Sequence, residues 1–311
     1  MNDQAVTTIL GAGGPIADEL AKLLLATNTP VRLVSRNPKP IGAAELVSAD
    51  LAHLDQAVRA IAGSSVVHLL VGLKYDVKVW QEFWPRIMAN TIEACERTNA
   101  RLVFFDNVYM YGKVSGPMTE DTPYCPSSRK GEIRARIATA LMDEVAVGRV
   151  TAIIARAADF YGPKNKHSVP NILVFEPLAS GSTPSWLVNP DVPHSFTFIP
   201  DAARALAMLT SSDSAWNQLW HLPTAPAPPT GRHFIELAAR EFNRPPKFRV
   251  LSRPILKLVG LFNSDIRDSY EMLYQSDSPY LFDSTKFARA FNFSGTPYPE
   301  AIRLASASYK K

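Results

Sequence analysis

The first two dozen residues constrain the fold more than any other part of the chain. An apolar, β-branched run, Val6-Thr7-Thr8-Ile9-Leu10, breaks into Gly11-Ala12-Gly13-Gly14-Pro15 and resumes with apolar residues at Ile16, Leu20, Leu23 and Leu24. This reads as a strand, a glycine turn and a helix that begins at the turn. Such a unit binds phosphate. Glycine lets backbone approach a pyrophosphate, and the helix start presents unpaired N–H groups and the positive end of its dipole. Gly11, Gly13, Gly14, Pro15 and Ile16 are therefore candidate cofactor contacts.

A second strand, Val31-Arg32-Leu33-Val34, follows a turn at Thr29-Pro30, so the unit is β-α-β, the context a dinucleotide fingerprint requires. Where an NAD-binding unit carries an Asp or Glu for the ribose 2′-hydroxyl, this chain reads Ser35-Arg36-Asn37-Pro38. A guanidinium there favours the 2′-phosphate of NADP, which a carboxylate would repel. Ser35 and Arg36 join the candidate contacts, with NADP as the expected cofactor.

The rhythm continues. Leu46 to Asp50 reads as a third strand, followed by Leu51, Leu54, Val58 and Ile61 at helical spacing; Val66 to Val71 reads as a fourth strand. Trp80 to Thr98 is helical, Arg101 to Phe105 is a fifth strand, Ile133, Ile137, Leu141 and Val145 mark a helix, and Val150 to Ala155 is a sixth strand. Continuously apolar strands alternating with amphipathic helices predict an α/β fold, a Rossmann-type doubly wound parallel sheet. After about residue 160 prolines multiply and the elements shorten, which predicts a smaller, mostly helical C-terminal substrate-binding part. The expected division is 1–160 for cofactor and 161–311 for substrate, with a segment near 195–222 returning to the core sheet.

Other readings are excluded by content. Two cysteines, Cys95 and Cys125, suggest neither a disulfide framework nor a zinc site, and point to a reducing, cytoplasmic home. The six histidines show no ligand spacing, so no metal is expected. A net charge of +4 is scattered rather than gathered in a stripe, which argues against nucleic acid. No apolar run reaches bilayer length, and Met1-Asn2-Asp3-Gln4 lacks the basic start of a secretory signal, so no membrane partner is expected.

In several motifs, taken in order, the chain resembles the extended and atypical short-chain dehydrogenases/reductases, which include nucleotide-sugar epimerases. Gly11, Gly14 and Ala17 sit where that family has GxxGxxG. Asp50-Leu51 resembles its adenine-contacting pair, and His68-Leu69-Leu70-Val71-Gly72 the strand end that passes under the cofactor. Phe105 to Gly112 (FDNVYMYG) resembles the strand-five motif, Arg156 to Pro163 (RAADFYGP) the sixth-strand motif, and Ser195 to Asp201 a later substrate-domain strand. The resemblance implies cofactor contacts at Asp50, Leu51, Leu70, Val71, Gly72, Phe105, Lys130, Ala157 and Tyr161. It also implies a homodimer built on two long helices.

The departures bear on chemistry. Asn107 stands at the family's catalytic Ser position, and the Tyr-x-x-x-Lys helix motif is absent: Lys130 and Arg134 fall at its two positions. Two cations four residues apart share a helix face and repel unless an anion, such as Asp106 or a phosphate, intervenes. The replacement set is Asn107 to orient an oxygen, Lys130 or a relocated Tyr109 to supply a proton, and Arg134 to hold the ribose hydroxyls. Tyr111 and Tyr161 are weaker proton-donor candidates, read mainly as packing residues. Trp80, Phe83 and Trp84, near Lys74-Tyr75, read as core or interface, and His68 as a core histidine with its hydrogen bonds satisfied. The expected function is an NADP-dependent oxidoreductase acting on a small carbonyl or alcohol. The alternatives are a nucleotide-sugar epimerase or dehydratase, and a non-catalytic NADP-binding redox sensor.

Overall fold

The structure, a computed structural model, describes residues 6–163, 165–166 and 168–310. The Met1–Gln4 start lies outside the described residues. The chain forms two compact units: one comprises the chain through Met110 with Arg129–Arg156 and Ala202–Trp220, the other Tyr111–Ser128, Ala157–Asp201 and the chain from His221 onward.

The first unit is built on a seven-stranded sheet. In chain order come β1 (Val6–Leu10), α1 (Pro15–Ala26), β2 (Val31–Ser35), β3 (Glu45–Ser48), α2 (Leu54–Ile61), β4 (Ser64–Leu69), α3 (Val77–Thr98), β5 (Arg101–Asp106) and α4 (Arg129–Ala146). The strand Ala152–Arg156 lies beside β5 and the strand Gln218–His221 forms that edge, giving the order Gln218–His221, Ala152–Arg156, β5, β4, β1, β2, β3. Parallel ladders join β3, β2, β1, β4, β5 and Ala152–Arg156 in turn. The inner strands are apolar on both faces because helices cover both, as the doubly wound reading requires.

Both ends of α3 are fixed. Its first turn is capped by the Asp76 carboxylate, which accepts from the N–H groups of Lys78 and Val79. Its end is closed by Asn99 in the left-handed region, with φ of 54°.

In the second unit short helices surround an aromatic core of Tyr161, Phe175, Trp186, Phe196, Phe234 and Tyr298. Its strands pair in twos: Asp159–Tyr161 with Phe196–Phe198, Ser185–Leu187 with Arg249–Leu251, and Pro117–Met118 with Leu281–Phe282. The last pair draws Tyr111–Ser128 into this unit, although in sequence the segment lies well before residue 160. The Tyr111 hydroxyl adds to the tie, standing 2.7 Å from His221 Nε2. No helix among the described residues is long and apolar enough to cross a membrane.

Candidate active site

Five strands of the first unit, β1 to β5, end at candidate residues, and in open parallel sheets ligands bind outside the carboxyl ends of the strands. Gly11, just past β1, has φ of +100°, and its N–H donates to the Val34 carbonyl at 2.9 Å. A Cβ on Gly11 would lie 2.6 Å from the Leu70 carbonyl group, so only glycine lets the ends of β1 and β4 close together. Gly13, at φ +97°, differs: nothing lies within 4 Å of where its Cβ would point. Pro15 opens α1, no side chain caps that helix, and Ile16 is buried beneath the turn. An open cradle over glycine, beside an uncapped helix start, fits a pyrophosphate. Asp18, absent from the sequence expectations, accepts from the Gly13 N–H at 3.0 Å and fixes the turn from the helix side.

At the end of β2, Ser35 is half-buried and Arg36 exposed. Among the described residues Arg36 makes no ion pair. Arg32, earlier on the same strand, is by contrast bound to Glu45 and to the carbonyls of Ala60 and Ala62. Past β3, Asp50 accepts from the Ala52 N–H at 3.0 Å, and Leu51 is buried with its carbonyl bonded by Asn90. Past β4, the Leu70 N–H donates to Leu10 at 2.8 Å, Val71 is half-buried and Gly72 exposed.

The end of β5 carries the densest chemistry. Asp106, 1% exposed, accepts from Arg134 Nε at 2.7 Å, from Arg156 Nε at 3.3 Å and from the Asn107 N–H at 2.8 Å. A second ion-pair contact joins the Arg134 guanidinium to the same carboxylate. The guanidinium also lies 4.4 Å from the Trp84 ring and 4.8 Å from Phe104, and a further nitrogen reaches the Phe105 carbonyl at 3.4 Å. Arg134 was expected to hold the ribose hydroxyls. In the structure its head is committed to Asp106 between aromatic rings. That pairing also answers the like-charge problem with Lys130.

Lys130 is 1% exposed, and its ammonium sits 4.4 Å from the centre of the Tyr75 ring. Tyr75 meets Trp80 and Tyr109 edge-on, at 5.5 and 6.5 Å, and Tyr109 stacks on Trp80 at 6.3 Å. Asn107 uses its side-chain oxygen to accept the Tyr109 N–H at 3.0 Å. Asn107, Tyr109 and Lys130 thus share one aromatic-walled cluster. Sequence reasoning had set Tyr75 and Trp80 aside, and α3 carries Trp80 and Trp84 into the cluster at one-turn spacing.

The remaining candidates belong to the second unit. Tyr111 is buried in the second unit: because His221 Nδ1 must donate to the Asp283 carbonyl, 2.8 Å away, Nε2 accepts from the Tyr111 hydroxyl. Ala157, first residue of the second unit's Ala157–Asp201 segment, is buried. Tyr161 packs among Phe175, Phe196, Phe198, Phe234 and Tyr298, and burial pushes its hydroxyl well above the ordinary tyrosine range. His68 corrects an expectation. It is buried as foreseen, but among the described residues neither ring nitrogen has a hydrogen-bond partner, and desolvation lowers its pKa to about 3.

Comparison with known proteins places this geometry. A family model described as NAD dependent epimerase/dehydratase matches residues 7–218. No curated protein sequence matches the chain. Among solved structures, a UDP-glucose 4-epimerase of Thermus thermophilus in complex with NAD superposes with a TM-score of 0.79 at 17% identity, covering 98% of each chain. A UDP-glucuronic acid 4-epimerase of Bacillus cereus with NAD gives 0.80 at 13% identity, also over 98% of each chain. A dTDP-glucose 4,6-dehydratase of Streptomyces venezuelae with NAD bound gives 0.78 at 15% identity, over 98% of this chain and 96% of that one.

Proposed function

Because the chain belongs to the NAD dependent epimerase/dehydratase family, we propose that it is an NADP-dependent oxidoreductase acting on a small carbonyl or alcohol, with Lys130 in place of the missing tyrosine acid. The observation that carries this reading is the Lys130 ammonium, buried against Tyr75, whose ring meets that of Tyr109 just past β5. When bound, the nicotinamide supplies or accepts the hydride. The Asn107 amide orients the substrate oxygen, Lys130 gives that oxygen its proton on reduction and retrieves it on oxidation, and the Tyr75–Trp80–Tyr109 wall excludes water. The glycine turn holds the pyrophosphate, and Arg36, exposed and without an ion pair among the described residues, meets the 2′-phosphate.

The test pairs binding with turnover. Calorimetric titration is expected to show NADPH and NADP⁺ binding with similar affinity and NADH weakly. With a carbonyl panel and NADPH, Lys130→Met should lower turnover by roughly 10² or more and leave NADPH affinity within a few-fold. Undiminished turnover in that variant removes Lys130 from the mechanism. Arg36→Asp should weaken NADPH by about 10- to 100-fold, the worth of a charge-assisted contact, and leave NADH unchanged. Equal losses for both cofactors would overturn the NADP assignment.

A nucleotide-sugar epimerase is the second reading, favoured by the family match. It requires cofactor recycled in place, so protein purified with stoichiometric, slowly exchanging cofactor would support it over the first. We also propose a homodimer through α3 and α4, which pack side by side in one subunit. Sedimentation showing only monomer at micromolar concentration would remove it.

A further inference from the structure

The helix Arg253–Gly260 turns its apolar stripe the wrong way for a core. It buries only Leu256 and Gly260. Ile255, Leu258 and Val259 recur at i, i+3 and i+4, the spacing of a single helix face, and all three are exposed, as is Phe262 just past the helix. The helix unwinds at Leu261 and Phe262, whose N–H groups reach back to Leu258 and Val259. Asn263 then caps the next helix, Ser264–Ser269, by accepting from the Asp265 and Ile266 N–H groups. Leu261 and Phe262 therefore stand at the tip of a helical hairpin, 70% and 87% exposed.

Charge identifies what covers this tip. From Phe242 to Ser264 the chain has five basic residues, Arg244, Lys247, Arg249, Arg253 and Lys257, and no acidic one, and the second helix of the hairpin adds the exposed Asp265 and an Arg267–Asp268 pair, leaving the stretch strongly basic. Arg253 is paired with Asp277, whereas the other four make no ion pair among the described residues. A second copy meeting this face about a two-fold axis would set cation against cation, since such an interface uses the same patch on both subunits. A narrow apolar crest carried on a stretch whose charges are predominantly basic matches instead a surface that is apolar inside and anionic outside. We propose that this hairpin docks the protein peripherally on anionic phospholipid, with Leu258, Leu261 and Phe262 entering the acyl boundary and Lys247, Arg249 and Lys257 meeting the headgroups. This goes beyond the enzymatic reading and stands independently of it. It also departs from the sequence expectation of no membrane partner.

The experiment is flotation of the full chain with vesicles of phosphatidylcholine alone, or with about one third phosphatidylserine. Wild-type protein should float with the anionic vesicles, stay behind with the neutral ones, and detach at about 0.5 M salt. The variants Leu258→Ser/Phe262→Ser and Lys247→Glu/Lys257→Glu should each lower the bound fraction at least about tenfold. Unchanged thermal melting in both variants would show that folding is intact, as expected for exposed positions. Absence of wild-type binding, or binding untouched by either double variant, overturns the proposal. So does a wild-type dimer that the apolar variant splits without any vesicle binding, which would assign the face to a second copy.

Discussion

At the scale of single residues, Gly11 and Gly13 share a positive φ but different surroundings, and this separates two roles. Alanine at position 11 meets the Leu70 carbonyl at 2.6 Å, so Gly11→Ala should cost more than the roughly 1–3 kcal/mol of backbone strain alone and lower the thermal midpoint clearly. Alanine at position 13 meets open space, so Gly13→Ala should cost only the strain while depressing dinucleotide affinity by a larger factor than its stability loss suggests. Calorimetry and thermal melting on the two variants check this; equal stability losses would show that the Leu70 contact relaxes. Asp106 sits between Arg134 and Arg156, all nearly inaccessible. Asp106→Asn keeps the shape and removes the charge, leaving two buried guanidinium groups without their carboxylate. The expected cost is about 3–5 kcal/mol in urea unfolding, and a loss below about 1 kcal/mol would mean another anion neutralises the arginines. The sequence offers Asp106, or a cofactor phosphate, as the anion that relieves the repulsion between Lys130 and Arg134, and the structure supplies Asp106. Arg156 could not be foreseen, because it lies 50 residues from Asp106 and arrives only through the parallel register that sets the two side by side.

At the scale of elements, legibility followed burial and length. The central strands are apolar on both faces, so their runs stand out without any periodicity, and each was found within a few residues of its observed bounds. The strands Pro117–Met118 and Leu281–Phe282 have two residues each, too few to carry a pattern, so the segment after Tyr111 gave no sign of pairing with a strand far along the chain. Trp80 and Trp84 are buried, in line with the core reading, and at helical spacing such residues look alike whether a helix buries them in a core or along a site. What positions them is the start of α3. The Asp76 carboxylate holds the first-turn N–H groups of Lys78 and Val79, and those bonds, with the nearby Lys74 and Lys78 charges, keep its pKa below the usual aspartate value. A carboxyl depressed in the folded state stabilises when ionised, so its contribution is full above about pH 4 and fades as pH falls below that. Asp76→Ala should therefore lower the thermal midpoint at neutral pH and converge on wild type in acid. Because Trp80 Nε1 is bonded to the Lys74 carbonyl at 3.0 Å, the same variant should also loosen the Tyr75–Trp80 wall and raise KM for an apolar carbonyl substrate. Parallel melting curves for the two proteins down to acid pH would show that the cap does not depend on ionisation.

At the scale of the whole molecule, the acid limit of stability traces to the middle of the sheet. β4 is the central strand of seven, and His68 on it lies between Ile9 of β1 and Val103 of β5. Trp84 and Arg134 contact Phe104, so α3 and α4 cover the face opposite the one that His68 shares with Val103. With neither nitrogen bonded among the described residues, the folded protein holds this ring neutral down to about pH 3, whereas in the unfolded chain it takes a proton near its ordinary value of about 6.5. The sign follows from the proton count. Above about pH 6.5 both states carry neutral imidazole and the group has no pH effect. Between there and about pH 3 only the unfolded chain binds the proton, so stability falls as pH falls, by up to roughly 1.4 kcal/mol per unit. His68→Leu removes the titrating group and two unsatisfied buried nitrogens while filling much the same space. It should match or exceed wild-type stability at neutral pH and gain on it steadily from about pH 6 to pH 4. Urea midpoints of the two proteins across that range measure the difference. A constant difference with pH would mean that His68 binds a proton equally well in both states, and the acid sensitivity would then belong to the carboxylates instead.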